Sequence, residues 1–379
     1  MLFKAYKGRF KKESQTLYKM RVYIIGGGPI GSYTAYLLAR QGYNVEVFEE
    51  HTTIGEPVQC TGIVTSALAE TIKLDKEFIL NKITKTRIFS PDNSFIELSF
   101  PKGKENIVLD RAKFDRHIAS MAKDVGVKFH LGSKFIGRKD NTIVVEGDKI
   151  REHKADYIIG ADGPTSKVAK SSGMFKKRKF WTGLQARVKL KNNNIVEFYP
   201  HIGSFAWVVP EDKETVRIGL LAKNNIKETF NDFLKKRLGN YTIIDQQAGL
   251  VPIYSSQIKT QKGNTFLVGD AACMVKATTG GGIVQGLKAA KALAYSIKNN
   301  KNYEKAWKKE IGKELWLSLM IRRCLDNFSD KDYNNLVSLF NKEKTSRILE
   351  EHDRDYPSKF LFKLLLAEPR LMLFARKLI

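Results

Sequence analysis

Gly26, Gly28 and Gly31 stand in the spacing GxGxxG, and Glu49 follows 21 residues after Gly28. In such a loop the first glycine permits a tight turn. The second lets the backbone approach a pyrophosphate, and the third lets a helix pack closely on a strand. The free N–H groups and partial positive charge of the following helix, which opens at Ser32, then face the phosphates, so Ser32 joins the candidate cofactor contacts. A carboxylate at Glu49 can accept hydrogen bonds from both ribose hydroxyls, which favours FAD or NAD over NADP. Glu50 competes for this role, but Glu49 fits the strand end better. A second set lies far downstream. Phe266-Leu267-Val268-Gly269-Asp270 reads as a strand, a glycine and an aspartate, and Thr279-Gly280-Gly281-Gly282-Ile283 opens a long helix. In FAD enzymes an aspartate so placed holds the ribityl chain. The helix start at Gly281, Gly282 and Ile283 approaches the pyrophosphate and the isoalloxazine edge. By itself this second set could be a turn and a helix cap; together the two sets point to FAD.

These residues need elements to position them. Arg21–Ile25 is a short apolar run of buried-strand type, 32–40 reads as a helix ended by Gly42, and Asn44–Phe48 is a second strand. That is one βαβ unit. Residues 23–39 mimic a membrane span, but the glycine cluster and Pro29 argue against one. Residues 83–100 alternate as antiparallel strands do. Asp110 to Val125 forms an amphipathic helix with Phe114, Ile118 and Met121 on one side. Strands follow at 127–131, 143–145 and 157–159, then a strand-rich block at 181–222 and a buried strand at 266–268. From Gly282 the chain is mostly helical. The interleaving predicts an α/β protein: a discontinuous Rossmann-type FAD-binding domain (20–80, 105–180 and 255–315) with an inserted antiparallel β-sheet substrate domain (81–104 and 181–254). A basic N-terminal tail (1–19) and a C-terminal helical region (316–379) flank them.

The chain has 379 residues, with 65 Lys+Arg against 40 Asp+Glu and a net charge of +25. Its 42% hydrophobic content excludes wholesale disorder. Cys60, Cys273 and Cys324 are scattered, which gives no disulfide framework and no metal set, and fits a reducing cytoplasm. The charge admits nucleic acid, an anionic membrane surface, an acidic ligand or a merely lysine-rich background. No helix-turn-helix, zinc or RNA-binding motif supports nucleic acid. Near the C-terminus, 360–366 and 371–374 are apolar, broken by Glu368, Pro369 and Arg370. Neither reaches the ~20 residues of a membrane span. With Lys359, Arg376 and Lys377 they suit a segment lying on anionic lipid, or a helical lid. The expectation is a cytoplasmic protein held peripherally on the inner face of the cell membrane.

Several segments carry a family likeness. Val108-Leu109-Asp110-Arg111-Ala112-Lys113-Phe114-Asp115, Gly160-Ala161-Asp162-Gly163, Gly55-Glu56-Pro57-Val58-Gln59-Cys60-Thr61-Gly62 and Phe205-Ala206-Trp207-Val208-Val209-Pro210 are the ones that matter. Over roughly residues 20–330 the chain resembles the geranylgeranyl reductase family of FAD-dependent isoprenoid reductases, within the wider flavin fold of aromatic hydroxylases and halogenases. The resemblance implies that Arg111 contacts the flavin and that the backbone of Phe135, on the strand after the Arg111 helix, meets the adenine. It makes Asp162 the acid of the shared GADG segment, although the basic residue usual soon after is shifted to Lys170. Cys60, Thr61 and Gly62 match a Pro-x-x-Cys-Gly segment at the flavin, with Thr61 in place of a glycine. Phe205 and Trp207 match a Tyr-x-Trp-x-Phe-Pro motif lining the prenyl tunnel, with Phe205 for Tyr and Val209 for Phe. That segment is also similar to the Trp-x-Trp-x-Ile-Pro of flavin halogenases. The implied activity is saturation of prenyl C=C bonds in membrane-lipid precursors such as digeranylgeranylglycerophospholipid. The expectation is a hydride from reduced flavin, Cys60 as proton donor or relay, and Trp207 and Phe205 as channel walls. The rivals are an FAD monooxygenase or halogenase, and a non-catalytic basic binding protein on a flavin fold. Without a second dinucleotide fingerprint, ferredoxin and NAD(P)H stand equal as electron donors.

Overall fold

The computed structural model describes residues 20–239 and 241–378; the basic tail expected at 1–19 lies outside them. Arg21–Ile25 has four of its five residues buried, as a strand covered on both faces requires. It lies inside a six-stranded sheet. The order is Gln261–Lys262, Thr265–Leu267, Tyr157–Gly160, Arg21–Ile25, Asn44–Phe48 and Lys128–His130. All neighbours are parallel except the outermost pair, Gln261–Lys262 with Thr265–Leu267. Helix α1 (Pro29–Ala39) begins three residues before the expected start. Pro29 is tolerated there because the first turn has no partner for the N–H that proline lacks. Helix α2 (Arg111–Asp124) is capped by Asp110, whose side chain accepts from the Lys113 N–H.

Phe135 is not on the strand that follows α2. That strand, Lys128–His130, ends after three residues. Gly132, at φ +63°, then turns the chain into Lys134–Lys139, which carries Phe135 in a separate three-stranded meander.

The second large sheet has seven strands. They run Thr242–Pro252, Phe180–Lys189, Thr215–Ala222, Phe205–Pro210, Ile195–Tyr199, Lys85–Phe89 and Phe95–Ser99. All pairs are antiparallel except Ile195–Tyr199 with Lys85–Phe89, where two distant chain segments join in parallel. Side chains alternate between its faces. Ala206, Val208, Ile218 and Leu220 pack on helix α3 (Ile226–Leu238) through Phe230, Phe233 and Leu234. Phe205, Trp207 and Val209 point the other way and gather with Trp181, Phe198 and Leu221, and with Val108 and Ala277 from outside the sheet. Beyond the sheets come helix α4 (Ile283–Lys298), helix α5 (Lys313–Asp326) and, near the C-terminus, helix α6 (Leu361–Ala367). The architecture is a Rossmann-like α/β region, an inserted and largely antiparallel sheet, and a C-terminal helical region. Among the described residues no helix is long and apolar enough to cross a membrane.

Candidate active site

The first glycine loop is built for close approach. A Cβ on Gly26, which sits at φ +104°, would lie 2.4 Å from the Ala161 carbonyl oxygen. One on Gly31 would lie 2.0 Å from the Gly26 oxygen, whereas one on Gly28 would meet nothing within 4 Å. The open side of the loop is therefore at Gly28, where a pyrophosphate would need room. The Gly27 N–H donates to Glu49 Oε2 at 2.6 Å, and the His51 N–H to Glu49 Oε1 at 3.0 Å. The carboxylate at the end of Asn44–Phe48 is thus fixed beside the loop. The Ser133 N–H donates to the Glu49 carbonyl at 2.7 Å, which brings the chain leading to Phe135 to the same corner. The Phe135 ring itself is buried in the core.

Two side chains expected at the cofactor are turned elsewhere. Ser32 is fully buried and donates to the Gly27 carbonyl at 2.9 Å, so its hydroxyl shapes the loop. Asp162 accepts from Ser166 Oγ at 2.6 Å and from the Val168 N–H at 3.0 Å. Its carboxylate therefore caps the short helix Lys167–Ser171, and what meets the Gly26 loop is the backbone of Ala161 and Asp162.

The second glycine set comes together at the start of α4. Asp270 lies in a tight turn after Gly269, and no hydrogen bond from the described residues reaches its carboxylate. A Cβ on Gly282 would lie 3.1 Å from Asp270 Oδ1. Burial pushes the Asp270 carboxyl up to about 6, with the nearby Arg111 charge opposing. A half-buried carboxylate lacking a protein donor is what a ribityl hydroxyl would satisfy. Gly281 and Gly282 lead into Ile283, the first residue of α4. Gly280, at φ +69°, presses this turn against the Leu221 side chain on the apolar face of the large sheet.

Arg111 stands between these parts. Its guanidinium donates to both oxygens of Asp115, at 3.1 and 3.0 Å, and borders the Cys60 thiol. Burial pulls the Arg111 guanidinium down, but Asp115 and Cys60 outweigh it and hold it above its ordinary range. Cys60 Sγ also accepts from the Gly62 N–H at 3.3 Å. Thr61, where a glycine was expected, donates its hydroxyl to Gln185 Oε1 at 2.6 Å. The Trp207 indole N–H donates to the same oxygen at 3.0 Å, and Gln185 Nε2 donates to Gln247 at 3.0 Å. The Cys60 loop is therefore joined to the tryptophan through one buried amide. The Phe205 ring lies 6.2 Å from that of Trp207 and 5.2 Å from that of Phe198.

Several polar residues here carry no motif. Gln185 is a buried amide on Phe180–Lys189, a strand that also carries Thr182, Arg187 and Lys189, so no local pattern marks it. Arg217 donates to the Thr61 and Leu109 carbonyls and pairs with Glu211. Lys276, on the loop that leads to Gly281, pairs with Asp355 from the C-terminal region. Nothing local in the sequence announces a partnership over such a separation.

The comparisons with known proteins bear on family and fold. A family model described as FAD binding domain matches residues 19–234, and one described as lycopene cyclase protein matches residues 204–350. A digeranylgeranylglycerophospholipid reductase of Methanosarcina mazei is 30% identical over 378 residues, covering 87% of this chain and 90% of that protein. A geranylgeranyl bacteriochlorophyll reductase-like structure from Thermoplasma acidophilum has a TM-score of 0.81 at 24% identity, covering 95% of this chain and 100% of its own. A flavin-dependent halogenase has a TM-score of 0.67 at 14% identity, covering 92% of this chain and 78% of its own, and so shares the fold alone. The chain is an FAD-binding oxidoreductase and belongs to the geranylgeranyl reductase and digeranylgeranylglycerophospholipid reductase family.

Proposed function

We propose that the protein saturates C=C bonds in the geranylgeranyl chains of membrane-lipid precursors. The observation that carries this reading is the aromatic and aliphatic face of the large sheet, turned toward the cofactor loops and tied to them through Thr61, Gln185 and Trp207. In this reading residues 20–80, 105–180 and 255–315 hold FAD, 81–104 and 181–254 hold the substrate, and 316–379 faces the lipid surface.

Reduced flavin, when bound, supplies a hydride to one alkene carbon. The chain's own residues do the rest. Trp181, Phe198, Phe205, Trp207 and Leu221 exclude water from an alkene that carries no activating group. The Gln185 hydrogen bond fixes the Trp207 ring, and the π faces of Trp207 and Phe205 stabilise the positive charge that develops on the more substituted carbon. Cys60 delivers a proton from Sγ to the other carbon. The sulfur left behind lies beside the Arg111 guanidinium and accepts from the Gly62 N–H at 3.3 Å. The electron donor would be ferredoxin or NAD(P)H.

A lipid substrate also implies a surface. Phe362, Leu366, Met372 and Leu373 are each more than half exposed. The one acid between residues 357 and 378, Glu368, is buried and paired with Lys342 and Arg370. Such a basic, apolar face fits anionic lipid on the cytoplasmic side of a membrane. Anaerobic incubation with dithionite and a digeranylgeranyl lipid, read by mass spectrometry, tests the reaction. The expected gain is about 2 Da per double bond, whereas no gain there, with a gain of about 16 Da in a parallel aerobic incubation with NAD(P)H, identifies an oxygenase and overturns the reading.

A further inference from the structure

Residues 353–356 return from the C-terminal region into the site. Asp355 is 2% exposed, accepts from Thr65 Oγ at 2.8 Å and pairs with Lys276. Arg354, beside it, is held differently. Its Nη1 donates to Asn106 Oδ1, and its guanidinium centre lies 5.6 Å from the centroid of the Phe198 ring. Among the described residues no carboxylate comes within 4.0 Å of that guanidinium to form an ion pair, and Nε and Nη2 make no hydrogen bond. Arg111, Arg217 and Arg322 instead bridge Asp115, Glu211 and Asp326, while Arg178, which also lacks a carboxylate, donates from its fork to the Phe175 and Pro164 carbonyls.

Arg354 also has a cationic neighbour. Lys276 is 6% exposed, and burial together with Arg354 pushes its ammonium down to about 7. Asp355 answers the Lys276 charge and Asp353 acts on Arg354 only through space, so the Arg354 fork is the cation here without a carboxylate bonded to it. The free edge of a guanidinium fork, with a lysine point charge beside it, suits phosphate oxygens. The corner has an apolar exit. Phe198 pairs with Trp207 across adjacent strands and its ring lies 5.2 Å from that of Phe205. A phosphate at Arg354 would leave an attached hydrocarbon chain lying over these three rings.

We propose that Arg354, with Lys276 beside it, binds the phosphate ester of the prenyl substrate and so sets which part of the chain reaches the flavin. This rests on the prenyl-reductase reading. The test measures equilibrium binding to the FAD-loaded protein, followed by perturbation of the flavin absorbance. Its probes are geranylgeranyl phosphate, geranylgeraniol and inorganic phosphate. The wild-type protein is expected to bind geranylgeranyl phosphate at least about tenfold more tightly than the alcohol and far more tightly than inorganic phosphate. In Arg354→Met the preference for phosphate over alcohol falls to near one, and Arg354→Lys restores part of it. An unchanged preference in Arg354→Met, or equal weakening of both prenyl ligands, makes Arg354 a structural staple and overturns the proposal. Inorganic phosphate binding as tightly as the prenyl phosphate marks a free-anion site and overturns the lipid assignment. If neither prenyl ligand binds the wild-type protein, the prenyl-reductase reading fails as well.

Discussion

Cys60 Sγ borders the Arg111 guanidinium and accepts from the Gly62 N–H, and no carboxylate hydrogen-bonds to it. If it donates the proton, Cys60→Ala should slow single-turnover alkene reduction by pre-reduced enzyme by about 100-fold or more, with FAD still bound. An unchanged rate removes the thiol from the chemistry. Asp270 gives a prediction about pH. Its carboxyl is raised from 3.8 to about 6 by burial. The folded state therefore binds this proton more tightly than the unfolded chain does. The resulting stabilisation is fully present below 3.8 and is lost as pH rises through about 6. In FAD-depleted protein the Tm of the wild type should fall relative to that of Asp270→Asn between pH 4 and pH 7. A constant difference would show that burial does not set this ionisation. The sequence announced Asp270 because a glycine and a strand fix its place. It did not announce Gln185 or Arg354, whose roles depend on partners brought together only by the fold.

At the scale of elements, the βαβ unit was legible because period and punctuation agree there: a buried run, a glycine turn, a helix, a second strand. The differences have local causes. Helix α1 starts at Pro29 because proline fits a first turn, and Phe135 falls one strand later because Gly132 ends its predecessor. Ser32 was assigned to the ligand from the helix opening and Asp162 from the shared GADG segment, yet each side chain satisfies a polar group of its own loop. Sequence position alone does not separate these two uses of a hydroxyl or a carboxylate. The packing of α1 on its strand makes a testable point. A Cβ on Gly31 would lie 2.0 Å from backbone oxygen, which no rotamer change relieves. Gly31→Ala should cost at least about 2 kcal/mol of stability and abolish FAD retention, whereas Gly28→Ala, facing open space, should fold normally and lose only cofactor affinity. Denaturant unfolding and the bound-flavin absorbance report the two effects separately, and equal destabilisation by both substitutions would contradict the assignment of roles within the loop.

For the whole molecule, the C-terminal region joins the site to the proposed lipid surface. The same stretch that places Arg354 and Asp355 beside the cofactor loop runs within a few residues into α6, where Phe362 and Leu366 are 68% and 67% exposed. Side chains one turn apart share a face of the helix, and Lys363 lies between them in sequence. The net charge of +25 supplies long-range attraction to an anionic surface, and the apolar side chains supply what salt does not screen. The two contributions can be separated. Binding to anionic vesicles should exceed binding to neutral ones and weaken as salt rises. Phe362→Asp combined with Leu366→Asp should remove about 2–4 kcal/mol of insertion, roughly 30-fold or more in partitioning, and do so at high salt as well. Reduction of a detergent-dispersed substrate should survive the double substitution, while reduction of substrate embedded in vesicles should fall with binding. If vesicle binding is untouched, this face is covered by something else. A second copy of the chain is then the alternative, and a change of oligomeric state in the double variant would identify it.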